Sequence, residues 1–477
     1  MSLTKSVIGV FFGKIGIAVL GFLGMWYAAR VVGPSILGVY FLFMTIIRLS
    51  SFFTDFGIKK AVVKRISEGN NDKKIFTSSF IILLVLFSIT IILFYFLRAN
   101  LIDYIGNSEV FPFLFIVLFL LSTQNLLMAV LAGNKKVGLS NFTSFLQTAG
   151  RVFSWFALLS LGFALVGLII GLSFGYLVGI GAAIFFLGFN IFKKPGLESF
   201  KKIFSFQKFS WIGPIRGRTW NWTDTLVLGF FVAPKFVGVY EVCWSISTFF
   251  LFGPIAINNT LFPNVSEIAK KEHYAEIKKV LENSMVYIGL LVFPGLIGAI
   301  VLGKSVLRIY GNEFIIGSTI LVILILSRLI EGYEKTFSRV LDGLDYPNLT
   351  LKSNIIFITS NIIGNVFLIY FIGWIGAAIA TSFSITFALI LNYNYLKNII
   401  DFEIPKKEIV LEVSSAIIMG IILHIMKHII SLPLKIRIPL LVIFGFVFYI
   451  SLLIAMSEKI RLKMVAVIRE INEVFYF

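Results

Sequence analysis

One cysteine, Cys243, occurs in 477 residues, so the chain can form no internal disulfide and no cysteine-rich metal site. Histidine is nearly as scarce. His273, His424 and His428 are the full set, and His424 and His428, four apart on one helix face, have no carboxylate beside them to complete a metal pair. No Walker-type glycine loop and no HExxH occurs, so the chain hydrolyses no nucleotide and no cofactor is expected. Any work it does must draw on an ion gradient, the membrane potential or the gradient of its own ligand. Charge is the largest deficit. Only 14% of residues are charged against 58% hydrophobic, which leaves too little polar surface to cover a soluble core.

What is present is a series of apolar runs. Runs of about 20 residues cross roughly 30 Å of hydrocarbon, and their approximate centres are Leu20, Thr45, Leu86, Leu121, Val152, Ser173, Asp224, Thr248, Pro294, Leu326, Thr359, Phe383, Ala416 and Phe446. The expected fold is therefore an all-α polytopic membrane protein of about fourteen transmembrane helices. The first run begins near Val7 with no small-residue cleavage pattern after it, and reads as a retained helix rather than a signal peptide.

A net charge of +18 invites a nucleic-acid reading until its placement is traced. Of the 42 basic residues, 27 lie in loops on the side of the N-terminus and 8 in the opposite loops. By the positive-inside rule both termini face the cytoplasm, in a cell membrane and with no nucleic-acid partner. The segment 191–208 interleaves Phe200, Ile203, Phe204 and Phe206 with lysines, as an amphipathic helix on the inner surface held by anionic membrane lipids does.

The chain also repeats itself. VGPSILGVY at Val32–Tyr40 returns as VAPKFVGVY at Val232–Tyr240, five of nine positions matching at an offset of 200, and VLAG at Val130 returns as VLDG at Val340. Six spans separate the copies, so the repeats are parallel. The expected organisation is a six-helix lobe over 1–190, the linker 191–208, a second six-helix lobe over 209–400, and a further helix pair with a cytoplasmic tail over 401–477. Gly167, Gly171, Gly175 and Gly179 lie on one face of span six, where a neighbouring backbone can approach closely.

Seven basic residues fall within or near the spans: Lys14, Arg48, Arg151, Arg216, Arg218, Arg328 and Lys335. Each costs about 2.5 to 3.5 kcal/mol at a helix centre on the lenient insertion scale, so each needs a wet cavity or a partner. The acids at that depth are fewer: Asp55, Asp224, Glu241, Glu331 and Glu334. Arg328, Glu331 and Lys335 stand three and four apart, either as a self-paired patch or as the inner end of span ten. Arg48 and Asp55 share a face two turns apart. Arg216 and Arg218 can reach the inner interface, whereas Lys14 and Arg151 have no acid within two turns. With Asn141, Gln147, Thr148, Trp220, Asn221 and Trp222 nearby, these cations describe a cavity for an anionic, hydroxyl-rich ligand, although the tryptophans could equally be interfacial anchors.

The segments AARVVGPSILGVYFLF, DTLVLGFFVAPKFVGVYEV and NNTLFPNVSEIAKKE, within a pattern spanning roughly residues 5–400, resemble the polysaccharide flippase branch of the multidrug, oligosaccharidyl-lipid and polysaccharide exporter superfamily. That resemblance implies a non-enzymatic alternating-access transporter. It would move a polyprenyl-(pyro)phosphate-linked oligosaccharide from the inner to the outer leaflet for cell-surface polysaccharide biosynthesis, with H+ or Na+ as candidate coupling ion and glycan-assembly enzymes as candidate partners. Its cationic site would be Lys14, Arg48, Arg151, Arg216 and Arg218, supported by Asp55, Gln147, Asn221, Trp222, Asp224 and Arg328. Rocking would occur at Pro34, Gly38, Pro234 and Gly238. The related lipid II flippases place basic residues on spans one, two and eight; Lys14 and Arg48 match the first two, while span eight here carries only Glu241. The competing readings are a proton- or sodium-coupled multidrug extruder, which calls for buried lobe carboxylates, and a membrane-embedded glycosyltransferase or polymerase, which calls for a large outer loop that the sequence does not have.

Overall fold

The computed structural model describes residues 3–210, 215–457 and 461; the side chains of 1–13, 15 and 208–221 fall outside that description. Among the described residues every regular element is helical, the solution hydrocarbon imposes because a helix satisfies its own backbone. The chain divides into two compact units, 1–241 and 242–477.

The first unit contains α1 (Leu3–Asp55), α2 (Ile58–Ser67), α3 (Asp72–Phe96), α4 (Arg98–Ile105), α5 (Phe111–Gly133), α6 (Val137–Ser160), α7 (Ala164–Leu187), α8 (Leu197–Ser210), α9 (Ile215–Phe231) and the start of α10 (Pro234–Thr248). The 53-residue α1 is two spans joined at Gly33, whose φ of 74° and ψ of 174° break the helix before Pro34 restarts it. Asn71 accepts the Lys74 N–H at 3.1 Å and so caps α3. The core of the inter-span segments is made by Ile58, Val62, Ile66, Ile75, Leu127, Leu131 and Ile203. Through Ile203, α8 docks its apolar side there, with Lys64 placed 4.4 Å over the Phe206 ring. From Leu197 onward the linker is helical, with Ile203 buried and Phe204 exposed.

The second unit completes α10 and adds α11 (Phe252–Lys270), α12 (Tyr274–Tyr310), α13 (Ser318–Gly343), α14 (Pro347–Ile372), α15 (Ile375–Lys397), α16 (Lys406–Ile429) and α17 (Leu434–Met456). Its core has two parts, one around Val265, Leu281, Phe337 and Leu396 and one where α16 and α17 meet α12 around Met419, Leu441 and Tyr449. All fourteen expected centres lie inside helices. Eleven helical stretches among the described residues are long and apolar enough to cross a membrane. Neither α6 nor the 17-residue α9 is among them. α6 carries Gln147 and Arg151, and α9, which is too short by length alone, carries Asp224.

The repeat is structural as well as textual. Gly133 ends α5 against Ile66, with the Val63 carbonyl 3.3 Å from where a Cβ would stand; Gly343 ends α13 against Val265, with the Phe262 carbonyl also at 3.3 Å. Two residues later the chain turns through positive φ in both copies, 60° at Lys135 and 64° at Asp345. Each unit therefore builds the same helix end on the same kind of support.

Candidate functional site

Small residues set the geometry of the cationic site. A Cβ on Gly171 would lie 2.5 Å from Trp155, one on Gly175 would lie 2.8 Å from the Arg151 Cβ and the Gln147 carbonyl, and one on Gly179 would lie 2.4 Å from Gln124. The glycine face of α7 thus lies against α6 along most of its length, with Gln124 of α5 at its end. Trp155 is buried and donates to the Leu168 carbonyl at 2.9 Å. The Arg151 guanidinium lies 4.9 Å from the Trp155 ring centroid, and Tyr40 meets the same indole edge-on at 5.8 Å.

Helix register sets the level of each cation along the axis. Gly16 of α1 faces Phe145, Gly24 faces Val152, and the Tyr27 hydroxyl donates to the Phe156 carbonyl, so α1 and α6 run in parallel at an offset near 129. On that register Lys14 is level with Thr143. Counting back along the antiparallel second half of α1 from the Tyr40–Trp155 contact puts Arg48 level with Gln147. Lys14, Arg48 and Arg151 are then spaced by about four residues, or about 6 Å, along the helix axis. Lys14 is exposed, and Arg48 and Arg151 are half-buried. Both arginines act electrostatically on Tyr40 and Tyr176. Among the described residues neither arginine has a carboxylate within ion-pair distance, and the buried Arg151 Nε has no hydrogen-bond partner. Gln147 accepts from Gln124 Nε2 at 3.2 Å.

At the end of the first unit stands an acidic pair. Tyr240 donates to the buried Asp224, Thr225 donates to Glu241, and Glu241 interacts electrostatically with Arg48. Sequence reasoning noted Glu241 but did not connect it to Arg48, and it missed Tyr40 and Tyr176; the clue available was the repeated GVY, which places Tyr40 and Tyr240 at equivalent points. Arg216, Arg218 and Asn221 belong to α9, and their side chains lie outside the described residues. Trp222 is half-buried on the same helix. Asp55 closes the junction to α2, where Oδ1 accepts the Lys59 backbone N–H at 3.2 Å.

Pro34 and Pro234 each start a helix, and the repeated glycines one turn later lie at a helix crossing. A Cβ on Gly38 would stand 1.8 Å from the Pro234 carbonyl oxygen, and one on Gly238 would stand 2.1 Å from that of Pro34. The two copies of the motif pack on one another reciprocally, and α1 itself bends at Gly33.

Arg328 lies in the second unit, 1% exposed, in the self-paired arrangement that was one of the two sequence readings. Its Nη1 donates to Glu331 at 2.9 Å, its Nε donates to Ser247 at 3.1 Å, its guanidinium stacks 3.9 Å from the Trp244 centroid, and Lys335 also pairs with Glu331. Removing Glu331 by Glu331→Ala strands a buried guanidinium, which typically costs about 3 to 5 kcal/mol, whereas replacing Arg328 and Glu331 together by Met and Leu is expected to recover much of that loss. Thermal unfolding of the two detergent-purified variants checks the difference. The unit also carries buried polar side chains missed in the sequence: Asn361 donates to Thr381 at 3.1 Å, Asn392 donates to Glu334 at 2.9 Å, and Glu412 acts electrostatically on Tyr333 and Tyr449.

The fold defines a polytopic helical membrane protein, with Arg48 and Arg151 half-buried among its helices. The chain belongs to the family described as polysaccharide biosynthesis protein, whose model matches residues 3–269. It is 29% identical over 95% of its length, and 96% of the relative's, to a Haloferax volcanii protein described as probable low-salt glycan biosynthesis flippase Agl15. It is 33% identical, over 57% of each chain, to the same organism's probable flippase AglR. Its fold is that of the lipid II flippase MurJ in an inward closed conformation, with a TM-score of 0.76 at 16% identity, covering 94% of this chain and 99% of that one.

Proposed function

We propose that this protein carries a polyprenyl-(pyro)phosphate-linked oligosaccharide from the inner to the outer leaflet, supplying cell-surface polysaccharide assembly without chemical change to the cargo. The observation that carries the reading is the Lys14–Arg48–Arg151 set, in which two arginines at membrane depth have no ion-pair partner among the described residues. Guanidinium groups match phosphate oxygens bidentately, so a phosphate ligand supplies the close ion pair that Arg151 lacks and that Arg48, with Glu241 acting on it only electrostatically, also lacks. Family membership and the likeness to named glycan flippases support the same cargo class.

In this proposal both termini are cytoplasmic, six-helix lobes over 1–190 and 209–400 form the moving parts, and the α8 linker rests on the inner surface against membrane lipids. The reciprocal Gly38–Gly238 crossing acts as the pivot, and Gly33 supplies the bend. An ion gradient, of protons or sodium, or the membrane potential drives the cycle. Depletion of the protein is expected to trap lipid-linked oligosaccharide on the inner leaflet. Mass spectrometry of extracted lipids, with sidedness probed by a membrane-impermeant sugar oxidant, checks this. An unchanged lipid pool with heightened sensitivity to cationic drugs would overturn it in favour of an extruder.

A further inference from the structure

Burial takes a tyrosine hydroxyl out of water, so the oxygen ordinarily finds a hydrogen-bond partner inside the protein. Tyr176 of α7 departs from that rule. It is 6% exposed, and its hydroxyl makes no hydrogen bond to any described residue. Nor is that oxygen sealed in, as the unpartnered hydroxyls of Tyr333 and Tyr449 are. The little surface that Tyr176 keeps therefore includes the end that can donate.

Helix register fixes where this residue stands. Gly171 lies against Trp155 and Gly175 against Arg151, so α7 runs antiparallel to α6 and Tyr176 is level with Gly150. That is one residue from Arg151 and three from Gln147, the level of Arg48, or about 1.5 and 4.5 Å along the axis. Tyr176 is also one position off the glycine face, which turns it out of the tight seam between α6 and α7. α7 packs on α1 as well as on α6, and Arg48, Arg151 and Tyr40 all interact electrostatically with Tyr176.

We propose that Tyr176 is a further ligand of the anion site, its hydroxyl donating to a phosphoryl oxygen of the cargo that Arg48 and Arg151 hold. The inference rests on the flippase reading above and adds a neutral donor to the charged ones. A guanidinium carries donors only, so neither arginine can take the tyrosine proton. The nearby acceptors are engaged elsewhere. Gln147 Oε1 accepts from Gln124 Nε2 at 3.2 Å, and Glu241, the carboxylate that acts on Arg48, accepts from Thr225. A phosphoryl oxygen brings several lone pairs and can accept from the hydroxyl and a guanidinium together.

The test uses the full chain purified in detergent as wild type, as Tyr176→Phe and as the double variant Arg48→Gln with Arg151→Gln. Each is titrated with farnesyl pyrophosphate, a short isoprenoid that carries the pyrophosphate without sugars. Tyr176→Phe is expected to weaken binding about tenfold, the weight of one hydrogen bond to a charged group. Its thermal unfolding without ligand should be unchanged or shifted upward, because the hydroxyl removed has no partner in the protein. In cells, outer-leaflet exposure should fall by a similar factor for lipid-linked glycans of every length, since all carry the phosphate. Unchanged affinity overturns the assignment, and so does wild-type binding no tighter than that of the double variant. Should Tyr176→Phe lower thermal stability as well, Tyr176→His, which restores an N–H donor on a smaller ring, decides the matter: recovered affinity upholds the ligand role and none overturns it. Failure of the flippase reading is recognised separately, by wild-type and depleted cells exposing equal amounts of glycan while the purified protein still binds the probe.

Discussion

Replacing Arg48 and Arg151 together by glutamine is expected to reduce outer-leaflet exposure of lipid-linked glycan by at least about a hundredfold, since each charge-assisted hydrogen bond to a ligand is worth about 1.5 kcal/mol or more. The protein itself should not suffer. Holding a cation at membrane depth costs a few kcal/mol, and Arg151 recovers part of this from Trp155 but has a buried Nε without a partner. Removing that charge alone, as Arg151→Gln, should therefore leave thermal stability in detergent unchanged or raised while transport falls. A residue retained for packing would show the opposite pattern, with stability and transport falling together. Arg48 is the less clean of the two, because its substitution also deprives Glu241 of a neighbouring cation. Comparing the single variants with the double variant separates that contribution.

The contrast with Arg328 shows what a structural cation looks like in the same chain. Arg328 is more deeply buried than Arg151, yet it has a carboxylate at 2.9 Å, a serine at 3.1 Å and an indole at 3.9 Å. Its Nη1, its Nε and the face of its guanidinium are answered within its own unit. The sequence-based argument could reach this conclusion because the carboxylate is three residues away on the same helix. It could not do so for Arg48, whose acidic neighbour Glu241 lies almost two hundred residues further along.

The same division explains what was legible from the sequence. Helices that cross hydrocarbon must be long and apolar, so the fourteen centres could be read directly, and the duplicated motif pointed to a repeat that recurs in the ends of α5 and α13. The glycine face of α7 was visible because its four-residue spacing matches the helix period. What the sequence does not contain is the partner of each polar side chain. Asn361 and Asn365 are spaced like any helix face, and only the approach of Thr381 and its neighbours makes them a buried belt. Glu412, six residues into α16, was not singled out from the sequence, and it is wholly buried beneath Gly289. Around the Pro-Gly motif, close approach of two helices at Gly38 and Gly238 and a break in one helix at Gly33 both select glycine, and the sequence alone does not separate the two.

That close approach yields the second large effect. Gly38→Ala is expected to abolish transport and lower the protein's thermal stability. Its new Cβ would stand 1.8 Å from the Pro234 carbonyl oxygen and 3.1 Å from the Gly238 nitrogen, and both are backbone atoms that no rotamer change can move aside. Overpacking against movable side chains costs about 1 to 3 kcal/mol, and a backbone obstacle puts this site at the upper end or beyond. Gly238→Ala meets the Pro34 carbonyl at 2.1 Å and should fail in the same way. Gly33→Ala has nothing within 4 Å to clash with, but it inherits a φ of 74° and ψ of 174°, a region nearly closed to residues with a Cβ, at a cost of about 1 to 3 kcal/mol. Gly21→Ala, in the same helix with open space around it and ordinary helical φ, should be neutral or stabilising by up to about 1 kcal/mol. Thermal unfolding and glycan exposure, measured on the four variants, give the order Gly38 and Gly238 worst, Gly33 intermediate, Gly21 silent. If Gly33→Ala proved the most damaging and Gly38→Ala were tolerated, the pivot would have to be moved from the helix crossing to the bend.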